Sequence, residues 1–266
     1  MRQITFASQP SFEKYGRMSR REAFLTSMDT IVPWSELEAL IAPFYPKAGK
    51  GRQPVGLGIM LRIYFLQHWF NLSDPGAEDA LYESPVLRGF AGIDLGRAAA
   101  PDETTILNFR HLLEKHELNG KILDTVNLYL ASQGIRISTG TIVDATIISA
   151  PCSTKNKKKV WGDAGYQGQT EAIHEAAPQA QDMTNRRVKK SKGQVDEEQK
   201  RKNRTKSRVR ARVEWPFRIL KRVFHYTKVR YRGIKKNHEW LLTAIALVNL
   251  YQHRKRLTQR LSPLGA

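Results

Sequence analysis

The chain has a single cysteine, Cys152, in 266 residues, so it can form no internal disulfide and no multi-cysteine zinc site. Long apolar runs are missing too. The longest stretches, 55–70 and 241–250, are interrupted by Arg62, Gln67 and His68 or are too short to span a bilayer. No apolar run follows the charges of residues 1–15, which argues against a secretory leader. With 41% hydrophobic and 26% charged residues, the composition is that of a globular cytoplasmic protein, neither disordered nor membranous.

Acidic residues are scarce in one region. Residues 1–185 hold 19 Lys/Arg against 20 Asp/Glu, whereas 186–236 hold 21 against 4. Almost all of the formal net charge of +19 therefore lies in one stretch. Solvated basic faces usually carry compensating acids; a stretch this lopsided repels itself unless a polyanion neutralises it. Nucleic acid is the expected partner. An anionic membrane surface fits less well, because the stretch has apolar residues at a helical spacing that suits a core.

The first half reads as helices. Arg21–Met28 and Trp34–Ile41 are short candidates, the second with Ser35 and Glu38 placed as a capping box. Ile59, Ile63, Leu66 and Phe70 recur at helical spacing over 55–70. Ser73-Asp74-Pro75 and Pro101-Asp102-Glu103-Thr104 open further helices, the latter with Ile106, Phe109, Leu113 and Arg110 on its surface. Such short helices can hold a helix-turn-helix or form an all-helical packing or dimerisation domain. The period changes at Gly134: Ile135–Ile148 is rich in β-branched residues, with Gly140 as a break, and reads as strand, turn, strand. A short strand is expected at 160–168 and another at 228–231. Residues 186–206 read as a charged, mobile segment, with helix resuming over 207–226 and again over 239–254. The last helix has an apolar face of Leu241, Ala244, Ile245 and Val248.

Three carboxylates are candidates for chemistry. Asp144 sits inside the β-branched run, where a lone charge needs a cation, a donor or a partner. Backbone amides at a strand end could serve equally well. Asp163 lies in Gly162-Asp163-Ala164-Gly165, a turn composition on its own. At 100° per residue, Glu214 shares a helix face with Arg210 and Lys221, beside an apolar stripe of Val209, Val213, Phe217, Leu220 and Phe224. A surface ion-pair cluster would show the same spacing. Pro216 is placed to kink this helix or begin a new turn.

Taken in order, these residues resemble a known set. Val143-Asp144-Ala145-Thr146, Gly162-Asp163-Ala164-Gly165-Tyr166-Gln167-Gly168 and Arg210-x3-Glu214-x-Pro216-Phe217-x3-Lys221-Arg222 resemble the three catalytic blocks of the insertion-sequence-5-type transposases. Lys228-Val229-Arg230-Tyr231-Arg232-Gly233 and the closing helix are similar to that family's C-terminus. Pro101-Asp102-x-Thr104-Thr105-Ile106-x2-Phe109-Arg110 is similar to a block of its N-terminal domain. The resemblance implies a DDE transposase that cuts and joins DNA strands at element ends. Asp144, Asp163 and Glu214 would hold two Mg²⁺ ions, or Mn²⁺, as catalytic and metal-binding residues. Arg210, Lys221, Arg222, Lys228, Arg230 and Arg232 would bind DNA. A homodimer on double-stranded DNA, associated with the nucleoid, is implied as well. Where the family has a tyrosine three residues before the arginine, this chain has Ser207.

One spacing departs further. Asp144 and Asp163 are 19 residues apart, where the family places several dozen. The loop 152–159 is polar and lysine-rich, too short and too poorly patterned for the usual helical crossover between parallel strands. The expected architecture is therefore α+β: a helical N-terminal domain over 1–130, for DNA binding or dimerisation, then a truncated RNase H-like domain over 131–266. That second domain would carry a small mixed sheet and an internal deletion between about 155 and 160. Two functions are compatible with it, a transposase or a catalytically dead DNA-binding remnant that occupies element ends or inhibits transposition. A basic RNA-binding protein is disfavoured, because no RNA-recognition aromatic motif is present.

Overall fold

The computed structural model describes residues 17–51, 53–135, 159–160, 168, 170–171, 174, 181–187, 190–191, 194–195 and 197–261, with 159–160, 182, 190–191, 194–195 and 209–214 described in backbone alone. The chain forms two compact units, 1–137 together with 218–266, and 138–217.

In the first unit, α1 (Arg20–Ile31) begins at a capping box. The Ser19 hydroxyl accepts from the Glu22 amide at 3.0 Å, and the Glu22 carboxylate accepts from the Ser19 amide at 3.2 Å. No such box opens α2 (Trp34–Ile41): Pro33 is its N-cap, and the Ser35 hydroxyl donates to Glu36 instead. The central helix, α3 (Leu57–Phe70), ends on a left-handed Asn71. Ser73 caps α4 (Asp74–Glu83), Ser84 caps α5 (Pro85–Ala91), and Asp102 caps α6 (Glu103–Lys115), accepting from the Thr105 amide at 2.6 Å. Then comes α7 (Leu118–Ser132).

Every residue of α3 from Met60 to Trp69 except Arg62 is buried. The apolar spacing identified one face, but α2, α4, α5 and α6 all pack on this helix and wrap it. Arg110 of α6, expected on the surface, is 6% exposed. Its i−4 and i+3 neighbours Ile106 and Leu113 are buried, so helical spacing itself draws Arg110 inward.

The C-terminal helix (Ile234–Leu261) belongs to this same bundle, packing on both α7 and α1. Two partners explain why its buried residues are not one narrow stripe. Ala244, Ala246, Leu247, Val248 and Leu250 are all buried, whereas Ile245 is 37% exposed. Each fully buried leucine contributes about 2 kcal/mol.

In the second unit, α8 (Glu197–Arg218) starts ten residues earlier than the apolar pattern suggests. Its charged first half is built from good helix formers. Glu197 and Glu198 sit in the first turn, pairing with Lys200 at 3.2 Å and Lys202 at 2.6 Å, which favours the helix over a mobile segment. Numbered in order, the C-terminal helix is α9.

The α+β expectation with a small mixed sheet is not met among the described residues. Their strands are β1 (Lys159–Val160), parallel to β2 (Gln181–Asp182), and β3 (Lys190–Ser191), antiparallel to β4 (Gln194–Val195). Two separate two-residue pairs make no mixed sheet. No strand forms over 228–231, because the Tyr231 amide and carbonyl are both taken by the Asn237 side chain and have no ladder to join. Most of the strand–turn–strand read over 135–148, like most of the junction expected between about 155 and 160, lies outside the described residues.

Candidate nucleic-acid interface

Asp144 and Asp163 lie outside the described residues. Arg210 and Glu214 lie on the backbone of α8, whose helical course continues through Pro216 without breaking. Beyond Arg218 the helix widens into a π-turn over Ile219–Val223, where the Phe224 amide donates to the Ile219 carbonyl at 3.0 Å. The count of 100° per residue that aligned Glu214 with Lys221 is interrupted there. Among the described residues, no group of three or more His, Cys, Asp or Glu forms an alternative cation site.

What the structure does define is the basic segment that follows. From Trp215 to His238 the sequence holds eight Lys/Arg and no acid. Lys221 and Arg222 are exposed on the π-turn. Leu220 and Phe224 are buried, with Phe224 edge-on to Tyr251 at 6.0 Å, so this end of the segment is rooted in the bundle.

The loop 225–233 is fastened to the bundle side chain by side chain. Tyr226 stacks on Trp240 at 4.1 Å, and Trp240 on His68 of α3 at 4.8 Å. The Arg230 guanidinium donates to the carbonyl of Asn71 and, at 2.8 Å, to its side-chain oxygen. Asn71 in turn donates to the His225 carbonyl at 2.9 Å. The ring of Tyr231 lies 4.5 Å from the Arg110 guanidinium. Arg110 is itself paired with Asp74 at 2.8 Å and Glu114 at 3.2 Å, and Gln67 donates to Asp74 at 2.8 Å. Asn237 donates to the carbonyls of Tyr231 and Gly233, each at 2.6 Å.

A second polar network lies under the start of α9. Asn119 of α7 donates to Glu239 at 3.0 Å and accepts from Thr243 at 2.9 Å and Tyr64 at 3.0 Å. Each of these groups is buried, and each finds a partner, as buried polar atoms must.

The electrostatics follow from this packing. Burial pulls the Arg110 guanidinium down, but Asp74 and its neighbours more than offset that, and its pKa is raised. Burial raises the Tyr231 phenol. His68, fully enclosed, is pushed down to about 4 and is neutral at pH 7.

Of the expected DNA contacts, Lys228, Arg230 and Arg232 are thus gathered in one short loop, with Lys228 and Arg232 exposed and Arg230 turned to Asn71. Sequence reasoning missed Lys235 and Lys236, both exposed, and the anchors Asn71, Asp74, Tyr231 and Asn237. The helical register of Arg110 with Ile106 and Leu113 was the available signal for its burial.

No helix among the described residues is long and apolar enough to cross a membrane. Residues 13–112 match the family described as Transposase domain (DUF772), and residues 139–250 match Transposase DDE domain. No solved structure matches the chain.

Proposed function

Because the chain belongs to the insertion-sequence transposases, enzymes of DNA transposition, we propose that it cuts and joins DNA strands at the ends of its element. The observation that carries this is the DDE match over 139–250, which contains Asp144, Asp163 and Glu214. These three carboxylates would carry the chemistry. Their hard oxygen donors, with no sulfur or imidazole in the set, suit Mg²⁺, or Mn²⁺ in its place. Bound divalent ions would supply charge stabilisation to the attacking and leaving oxygens of the phosphoryl transfer. Arg210, Lys221, Arg222, Lys228 and Arg232 would neutralise DNA phosphates. Residues 1–130 would contribute DNA binding or dimerisation and 131–266 the chemistry, in a homodimer that acts on the nucleoid in the cytoplasm.

The 19-residue spacing of Asp144 and Asp163 favours a second reading, a remnant that binds element ends without cutting them. Carboxylates that share metal ions must be held to about half an ångström by rigid surroundings. A nicking assay on supercoiled DNA that carries the element ends separates the two. Mg²⁺-dependent nicking lost in Asp144→Asn supports the transposase, and stable binding without nicking supports the remnant.

A further inference from the structure

The loop 226–236 alternates between residues tied to the bundle and residues left in solvent. Tyr226 is stacked on Trp240, and Lys228 and Val229 are exposed; Arg230 and Tyr231 are anchored, and Arg232 is exposed. The Gly233 carbonyl is held by Asn237, and Ile234, Lys235 and Lys236 are exposed again. Among the described residues, no hydrogen bond or ion pair engages the Lys228, Arg232, Lys235 or Lys236 side chain. Two arginines of the same neighbourhood are spent inside. Arg230 holds Asn71, and Arg110 is neutralised by Asp74 and Glu114.

We infer that Arg110, fixed by Asp74, is a positioning residue that sets Tyr231 and so presents the exposed edge of this loop, Lys228 to Lys236, as a rigid contact surface for duplex DNA. The inference rests on the reading that the basic segment binds DNA. Arg110 is too buried to meet a phosphate, so its part is indirect. Lysines and arginines on a free loop would lose conformational freedom on binding; those on a loop already pinned lose less. Val229 and Ile234, 62% and 88% exposed between the bases, suit a surface that also meets sugars and groove walls. The charge of this edge is of one sign, as a polyanion requires.

The test uses the full chain and a random-sequence 30-base-pair duplex, with affinity measured by fluorescence anisotropy across a salt series. Each phosphate contact contributes about 0.9 to the slope of log affinity against log salt. The double variant Lys228→Ala/Arg232→Ala is expected to lose about 1.8 of that slope. Tyr231→Leu, which changes no charge, is expected to weaken binding severalfold at every salt concentration while keeping the slope, and Tyr231→Phe to bind as wild type because the ring remains. Arg110→Lys, which keeps its charge opposite Asp74 and so protects the fold, is expected to weaken binding like Tyr231→Leu. Wild-type affinity in Arg110→Lys, with the Lys228/Arg232 variant impaired, overturns the positioning role alone. Wild-type slope in the Lys228/Arg232 variant means that the loop is not a DNA contact, and the underlying reading fails with it.

Discussion

His68 makes the bundle sensitive to acid. Its ring faces two backbone carbonyls, that of Tyr64 at 2.9 Å from Nδ1 and that of Trp240 at 3.3 Å from Nε2, and stacks on the Trp240 indole. A neutral imidazole has one N–H and can satisfy one of those carbonyls. Burial is the largest influence and disfavours the charged ring; the two carbonyls favour it but are outweighed, and Arg230 and Arg110 add to the lowering, so the folded value falls from 6.5 to about 4. The unfolded chain therefore takes up a proton first as pH falls. Stability from this group is complete above about pH 6.5 and is lost as pH drops towards 4. At about 1.4 kcal/mol per unit, the whole window is worth about 3 kcal/mol, of which about 2 kcal/mol is gone between pH 7 and pH 5. Against a net stability of about 5–15 kcal/mol that is a large share. Urea unfolding of the full chain at pH 7 and pH 5 should show wild type losing about 2 kcal/mol more than His68→Gln, which keeps an amide donor but cannot titrate. Equal losses in the two proteins would refute the reasoning, since the other titrating groups are common to both.

Phe224→Ala should cost about 3–5 kcal/mol in chemical denaturation, because the ring is fully buried where the basic segment roots in the bundle. Ending the chain after Asp182 removes α9 and exposes the faces of α1 and α7 that it covers, so loss of the cooperative thermal transition is expected. Glu214→Gln should abolish any Mg²⁺-dependent nicking without weakening duplex binding in a gel-shift titration, since it removes a proposed metal ligand and no positive charge.

Much of the helical unit was legible in the sequence. Ser73 and Asp102 mark their helix starts because a short acceptor before a helix acts locally, reinforced in the first case by Pro75 in the first turn. Tertiary environment was not legible. The spacing of Ile59, Ile63, Leu66 and Phe70 shows an apolar face but cannot show that four helices cover α3. Nor can it show that Arg110 is paid for by Asp74 and Glu114 from inside the core. The charged run before Ser207 lacks an apolar stripe, and its helix rests on ion pairs and helix-favouring residues that a search for hydrophobic period passes over. Of the candidate site, the sequence marked the basic loop but not its fastenings, because Asn71 meets Arg230 across 159 residues of chain and Tyr231 meets Arg110, which lies on a different helix of the bundle.

The short spacing between Asp144 and Asp163 bears on one unit and not the other. Among the described residues every buried apolar side chain lies in 25–135 or 219–257, all within the helical unit. That unit closes around an 80-residue excursion, 138–217. Closure entropy grows only with the logarithm of loop length, about 0.6 kcal/mol per doubling, so several dozen residues more or fewer in the excursion change the bundle's stability by less than about 1 kcal/mol. Asp144 and Asp163, as the proposed catalytic carboxylates, would have no such tolerance, since a misplacement of about 1 Å can cost roughly a hundredfold in rate. A chain that keeps its basic loop but loses its catalytic geometry would bind DNA and fail to cut it. Restoring a family-length segment between Lys159 and Val160 is therefore expected to bring Mg²⁺-dependent nicking while the bundle's unfolding transition and the salt slope of DNA binding stay put. If the 266-residue chain already nicks as fast as the lengthened one, and loses that activity in Asp144→Asn, the short spacing is harmless and the remnant reading fails.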